Sequence, residues 1–245
     1  MNIFDKDNED DTTKLHHEYV LEPCNPSVLG PNVVAKLKEY IREYLSQNRM
    51  GFYQSTSTGN LVLEDGYMEY VTALSIGGDR IGAGNCPVDV VGDGIGIDVL
   101  CVCLTGNQSN EKSLTQNFKE SAGIEILFKE NNAEGAIDLY KKIWYDKLCD
   151  AIEKFNLTML YYVGFISTNK CVYMSVFKIN VNAILNIKNL GFTKQEKSIN
   201  FKNVIEEKYG KTRLYESKKR MEIRFNKNLL NSYNTIELYN LNNTI

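Results

Sequence analysis

The ten residues from Ile95 to Leu104 form an almost unbroken apolar run, and a single acid, Asp98, interrupts it. A run of that length and composition reads as a buried strand. An ionised carboxylate inside such a strand costs several kcal/mol unless it is paired or coordinated. The run is preceded by Cys86 to Val91 and the turn Gly92-Asp93-Gly94, which predicts a hairpin whose first strand is short. Asp89 falls at the end of that first strand. The hairpin can therefore bring Asp89 and Asp98 to one place.

Around this hairpin the pattern alternates between helix and strand. Pro31 opens a helix to about Asn48 with an apolar stripe of Val34, Leu37, Ile41 and Leu45. Asp65 and Gly66 lead into a shorter helix with Tyr67, Tyr70, Val71 and Leu74 on one side. A glycine-rich passage, 77 to 84, breaks it. A helix is predicted from about Glu111 to Lys119, and a longer one from Glu134 to Phe155, where Ile137, Tyr140, Trp144, Leu148, Ala151 and Phe155 recur at helical spacing. Thr158 to Ser167 and Cys171 to Asn180 read as two strands around Thr168-Asn169-Lys170. Shorter pieces follow to about Leu238. The expected class is α/β (α+β), a central mixed sheet flanked by helices, in one domain over residues 19–245 after an acidic, flexible tail at 1–18.

Composition narrows the function classes. The chain has 245 residues, 43% apolar and 24% charged, which is globular and excludes a disordered or fibrous protein. No stretch approaches the roughly 20 apolar residues of a membrane span. The polar, acidic N-terminus lacks the form of a secretory signal, and six cysteines are too few for a disulfide scaffold. A reducing, cytoplasmic setting is expected. The net charge of −3 conceals an asymmetry: residues 165–245 carry +8 and the first 164 residues carry −11. A nucleic-acid partner is thus compatible with the total.

Asp89 and Asp98 supply the oxygen ligands that a hard cation such as Mg²⁺ prefers. Pro87-Val88-Asp89, the hairpin, and Ile97-Asp98-Val99-Leu100 together resemble the PD-(D/E)XK nuclease superfamily, to which many type II restriction endonucleases belong. The resemblance covers about residues 65–120. It implies a restriction-endonuclease-like fold, Mg²⁺ as cofactor, double-stranded DNA as substrate, in-line attack of water leaving a 5′-phosphate, and a homodimer. It also implies Asp89 and Asp98 as metal ligands, with Glu69 on the preceding helix as a further one. The superfamily's motif lysine is replaced here by Leu100. Lys112, Gln116 and Lys119 fall on one face of the helix predicted after the second strand, so Lys119, or else Lys112, is expected to take the lysine's place. The alternative is a catalytically inactive DNA-binding or interaction module on the same fold.

The basic C-terminal part supplies the phosphate contacts this reading needs. Arg220, Glu222 and Arg224 alternate with Met221, Ile223 and Phe225, as in a strand with one apolar face. Arg213, Lys218, Lys219, Arg220 and Arg224 are the expected DNA-binding residues. Without a nucleic-acid role, the same segment would be a charged, solvated edge strand. Other signals are weaker. The glycines at 77, 78, 82 and 84 match no phosphate-binding loop. Cys101 and Cys103 lack a Cys-x-x-Cys companion for zinc, and His16-His17 has no partner nearby in sequence.

Overall fold

The computed structural model describes residues 18–47, 54–55, 58–81, 86–114, 122–193, 197–217 and 220–243. Among these residues are two β-sheets and four α-helices. The larger sheet is built on β4 (Ile95–Thr105), β7 (Met159–Ser167) and β8 (Cys171–Ile179). β4 and β7 are parallel over Ile95 to Cys103, while β8 returns antiparallel to β7. β3 (Val90–Gly92) and β2 (Asp79–Arg80) extend the sheet beyond β4. β1 (Leu21–Pro23) and β13 (Thr235–Asn240) pair with β8 on its far side, and β5 (Gln108–Ser109) pairs with the end of β4. This is the mixed α/β arrangement expected from the sequence.

The β3–β4 hairpin forms for a local reason. Asp93 and Gly94 both adopt positive φ, 48° and 73°. That is the two-residue turn whose twist matches the flanking strands. It sets Gly92 opposite Ile95 and Val90 opposite Ile97. Gly78 explains part of the glycine-rich passage. A Cβ there would lie 2.2 Å from the Val91 carbonyl oxygen, so only glycine lets the exit of the helix Asp65–Ile76 run against the hairpin. Gly77 closes the preceding helix in the left-handed conformation.

α1 (Val33–Gln47) and α2 (Asp65–Ile76) cover one face of the large sheet, burying Leu37, Ile41, Met68 and Val71 against Ile97, Val99 and Val163. The expected α2 stripe is corrected: Tyr70 and Leu74 are exposed. The buried face runs instead through Met68, Val71, Thr72 and Ser75. Both hydroxyls are satisfied by donating back to the Met68 and Val71 carbonyls at 2.6 Å.

On the opposite face lie α4 (Ala133–Phe155) and a second, antiparallel sheet. Its strand order is β6 (Lys112–Ser113), β12 (Arg220–Phe225), β11 (Gly210–Tyr215), β10 (Ser198–Lys202) and β9 (Lys188–Thr193). The two sheets share one apolar core. Leu100, Tyr162 and Phe177 come from the first, Met221, Ile223 and Phe225 from the second, and Tyr140, Trp144 and Leu148 from α4.

Two further expectations are corrected. Within the predicted helix at 111–119, Lys112 and Ser113 are extended and pair with β12. The helix that precedes α4 is α3, Ala122–Lys129. β12 is likewise no edge strand, since β6 and β11 flank it. All six cysteines are free thiols. Among the described residues, no helix is long and apolar enough to cross a membrane.

Candidate functional site

The site opens where β3 stops and the edge of β4 continues with no strand beside it among the described residues. Three successive backbone N–H groups on that edge are met by side chains. Val99 donates to Asp89 Oδ2 at 2.8 Å, Cys101 to Asp65 Oδ1 at 3.1 Å, and Cys103 to Asn110 Oδ1 at 2.8 Å. Three side-chain oxygens thus replace the carbonyls of a missing neighbour strand and satisfy the sheet edge. Two of the three are carboxylates, and the edge gathers negative charge as a consequence.

Asp98 points to the same side of β4 as Leu100, beside Tyr162 on β7. Its carboxyl lines the same cleft as that of Asp89, near enough for each to act on the other. Burial, first, and then the charge of Asp89 push the Asp98 carboxyl well above the ordinary carboxylate range. Burial also raises Asp89, opposed by the N–H of Val99 and reinforced by the nearby charge of Glu69. Two like charges so placed cannot both ionise freely without a counter-charge. The acidic interruption of the apolar run is therefore half of a carboxyl pair.

Asp89 and Asp98 line an open cleft of about 350 Å³. Asp65 and Glu69, one helical turn apart on α2, form one wall. Lys112 and Arg220 from the second sheet form the other, with Leu100 and Trp144 as apolar surface. Lys112 Nζ meets Asp65 Oδ2 at 2.9 Å, and Glu69 is held by Arg80 at 2.6 Å. The structure thus brings Asp89, Asp98, Glu69 and Lys112 to one cleft. Gln116 and Lys119 lie outside the described residues. Among those described, no group of three or more His, Cys, Asp or Glu side chains is arranged to hold a metal ion. The converging carboxylates are two, Asp89 and Asp98, while Glu69 and Asp65 are engaged by cations.

Of the expected phosphate contacts, Arg220 lines the cleft and pairs with Glu222 at 3.1 Å. Arg224 pairs with Glu111 at 3.0 Å, and Arg213 sits opposite Glu222 on β11. Lys218 and Lys219 lie outside the described residues. The basic face of β12 is thus interleaved with acids, Glu222 being buried beneath its neighbours.

Asp65, Asn110 and Tyr162 were not singled out for the site by the sequence pattern. Asp65 reads there only as a helix start. The Tyr162 hydroxyl is fully buried with no hydrogen-bond partner among the described residues, and burial followed by the charge of Asp98 raises its pKa far above the usual value. Compared with known protein families, with curated proteins and with solved structures, the chain matches none.

Proposed function

We propose that the chain is a Mg²⁺-dependent endonuclease acting on double-stranded DNA, of the type II restriction kind that its motif resembles. The observation that carries this is the Asp89–Asp98 carboxyl pair at the floor of an open cleft that a lysine also enters. The pair fits a magnesium ion chemically. Mg²⁺ is commonly held by one or two carboxylates plus waters and substrate phosphate, and two crowded acids gain most from such a charge. When bound, the ion would lower the pKa of a water and neutralise charge on the scissile phosphodiester.

The chain's own groups divide the remaining work. Asp89 and Asp98 hold the ion, and Asp89 is fixed in turn by the Val99 N–H. Lys112 takes the place that Leu100 leaves empty of charge: its ammonium orients the attacking water and stabilises the phosphorane oxygens. Asp65 holds Lys112 in the cleft. Leu100 and Trp144 exclude bulk water, and Arg220 contacts phosphate. A homodimer on a palindromic site, in the cytoplasm, completes the reading.

Plasmid DNA incubated with the protein and Mg²⁺ tests it. Discrete fragments from the wild type and none from Asp98→Ala are expected. A protein that binds DNA in a salt-sensitive way but never cuts it, with Mg²⁺ or Mn²⁺, overturns the catalytic part. That result would favour an inactive DNA-binding module, a second reading supported by the buried Leu100 at the lysine position.

A further inference from the structure

The outer face of the second sheet carries a row of like charges. β12 and β11 set Arg224 opposite Lys211. β10 and β9 set Lys202 opposite Lys188. The β10–β11 register, with Phe201 opposite Thr212, makes Lys202 and Lys211 neighbours as well. Four cations therefore stand side by side across four adjacent strands.

Like charges directly opposite one another destabilise a sheet. Acids relieve only part of this row. Glu111 holds Arg224 at its cleft end. Glu206 is engaged by Lys208, which also lies 4.7 Å over the Tyr209 ring. Glu207 is the other acid on the groove beside the row. Lys188, Lys202 and Lys211 are exposed and have no ion pair among the described residues. Such an arrangement is stable in water but calls for an anion to lie along it.

The row also has a definite place. Its Lys202–Lys211 stretch borders a groove of about 620 Å³. A smaller hollow next to that groove shares Lys211 and Arg213 with it, and shares Glu111 with the carboxylate cleft. A concave path therefore runs from Asp89 and Asp98, past Arg224, to Lys202. With strands about 4.8 Å apart, four strands span about 14 Å. That is roughly four base steps of one DNA strand at about 3.4 Å each.

We infer that Lys188, Lys202 and Lys211, continuing from Arg224, form a track for the phosphodiester backbone of duplex DNA flanking the bond in the cleft. The inference rests on the proposed nuclease function and adds where the substrate runs and which residues hold it. None of these three lysines belongs to the cleft or to the pair of acids.

The test compares wild type with the triple variant Lys188→Gln, Lys202→Gln, Lys211→Gln, and with a control in which the exposed cations Arg42 and Lys170 become Gln. Binding of a fluorescent duplex is followed by anisotropy across a salt series in Ca²⁺. The triple variant is expected to show a log K against log salt slope shallower by about 2.7, at about 0.9 per lost phosphate contact, while the control matches wild type. Because the row is repulsive, the triple variant's melting temperature should not fall below wild type's; a drop overturns the premise. An unchanged slope in the triple variant, with a wild type that cuts plasmid, overturns the track and leaves the nuclease reading standing. A shallower slope in a protein whose wild type never cuts does the reverse. Displacement of the lysines' contribution by inorganic phosphate alone, with no salt-dependent duplex binding, would replace the track by a small-anion site.

Discussion

Asp89 and Asp98 line one cleft across the β3–β4 hairpin, and the charge of Asp89 bears directly on the Asp98 carboxyl. One consequence concerns pH. The raised value at Asp98 means that the folded chain keeps a proton the unfolded chain releases. The stability this gives is complete below the ordinary carboxylate range, near about 3.9, and is lost as pH rises through the folded value. Asn at position 98 cannot ionise and escapes that loss. In chelator, Asp98→Asn should therefore melt higher than wild type at pH 8 and converge with it toward pH 4. A gain of about 2–4 °C for each kcal/mol is expected in a chain of this size. Calorimetry across that range checks it.

A divalent cation should substitute for the proton. Mg²⁺ added to the wild type at pH 8 is expected to raise the melting temperature, by an amount equivalent to about 2.7 kcal/mol at a hundred times its dissociation constant. The Asp89→Asn, Asp98→Asn double variant should show no such rise.

On the proposed nuclease reading, a Lys112 variant separates chemistry from binding. Lys112→Met is expected to reduce single-turnover cleavage by about 10²–10³-fold, the usual cost of removing a group that stabilises transition-state charge. Affinity for the uncut duplex in Ca²⁺ should change little. If cleavage persists at the wild-type rate, another residue fills the role.

Gly78→Ala tests the packing that holds the hairpin in place. The added carbon would strike the Val91 carbonyl oxygen and Gly92 Cα, both backbone atoms that cannot swing aside. Urea unfolding should show a loss of about 1–3 kcal/mol, the cost of overpacking a filled site.

Tyr162→Phe should move stability the other way. Its hydroxyl is buried without a partner among the described residues, and leaving such a group dry costs about 1–3 kcal/mol. Its removal is expected to stabilise the fold by about 1 kcal/mol in the same urea assay.

What could be read from sequence was what adjacent residues decide. The Asp93-Gly94 turn, the apolar β4 and the spacing along α4 each carry their own signal. Asp89 and Asp98 were accessible because a tight turn joins their strands. Lys112 was misplaced on a helix because its spacing to Gln116 and Lys119 imitates a helical face. Its extended backbone comes from pairing with Ile223, more than a hundred residues away. No local pattern encodes that. Asp65 was missed for a related reason: its role depends on an unpaired edge of β4, which exists only because β3 is three residues long.

The pairing of β6 with β12 has a consequence for assembly. The acids of the cleft come from residues 65–111, whereas β12, the strand that anchors Lys112, is synthesised more than a hundred residues later. Until β12 arrives, Asp65 lacks its ammonium partner and the carboxyl pair faces water without the opposite wall. The nascent protein thus holds a set of acids open on one side, with Arg80 on Glu69 but Lys112 not yet fixed on Asp65. Completion of the C-terminal sheet is the step that converts an acidic surface into a walled site. The walled site therefore waits on the strand that fixes Lys112.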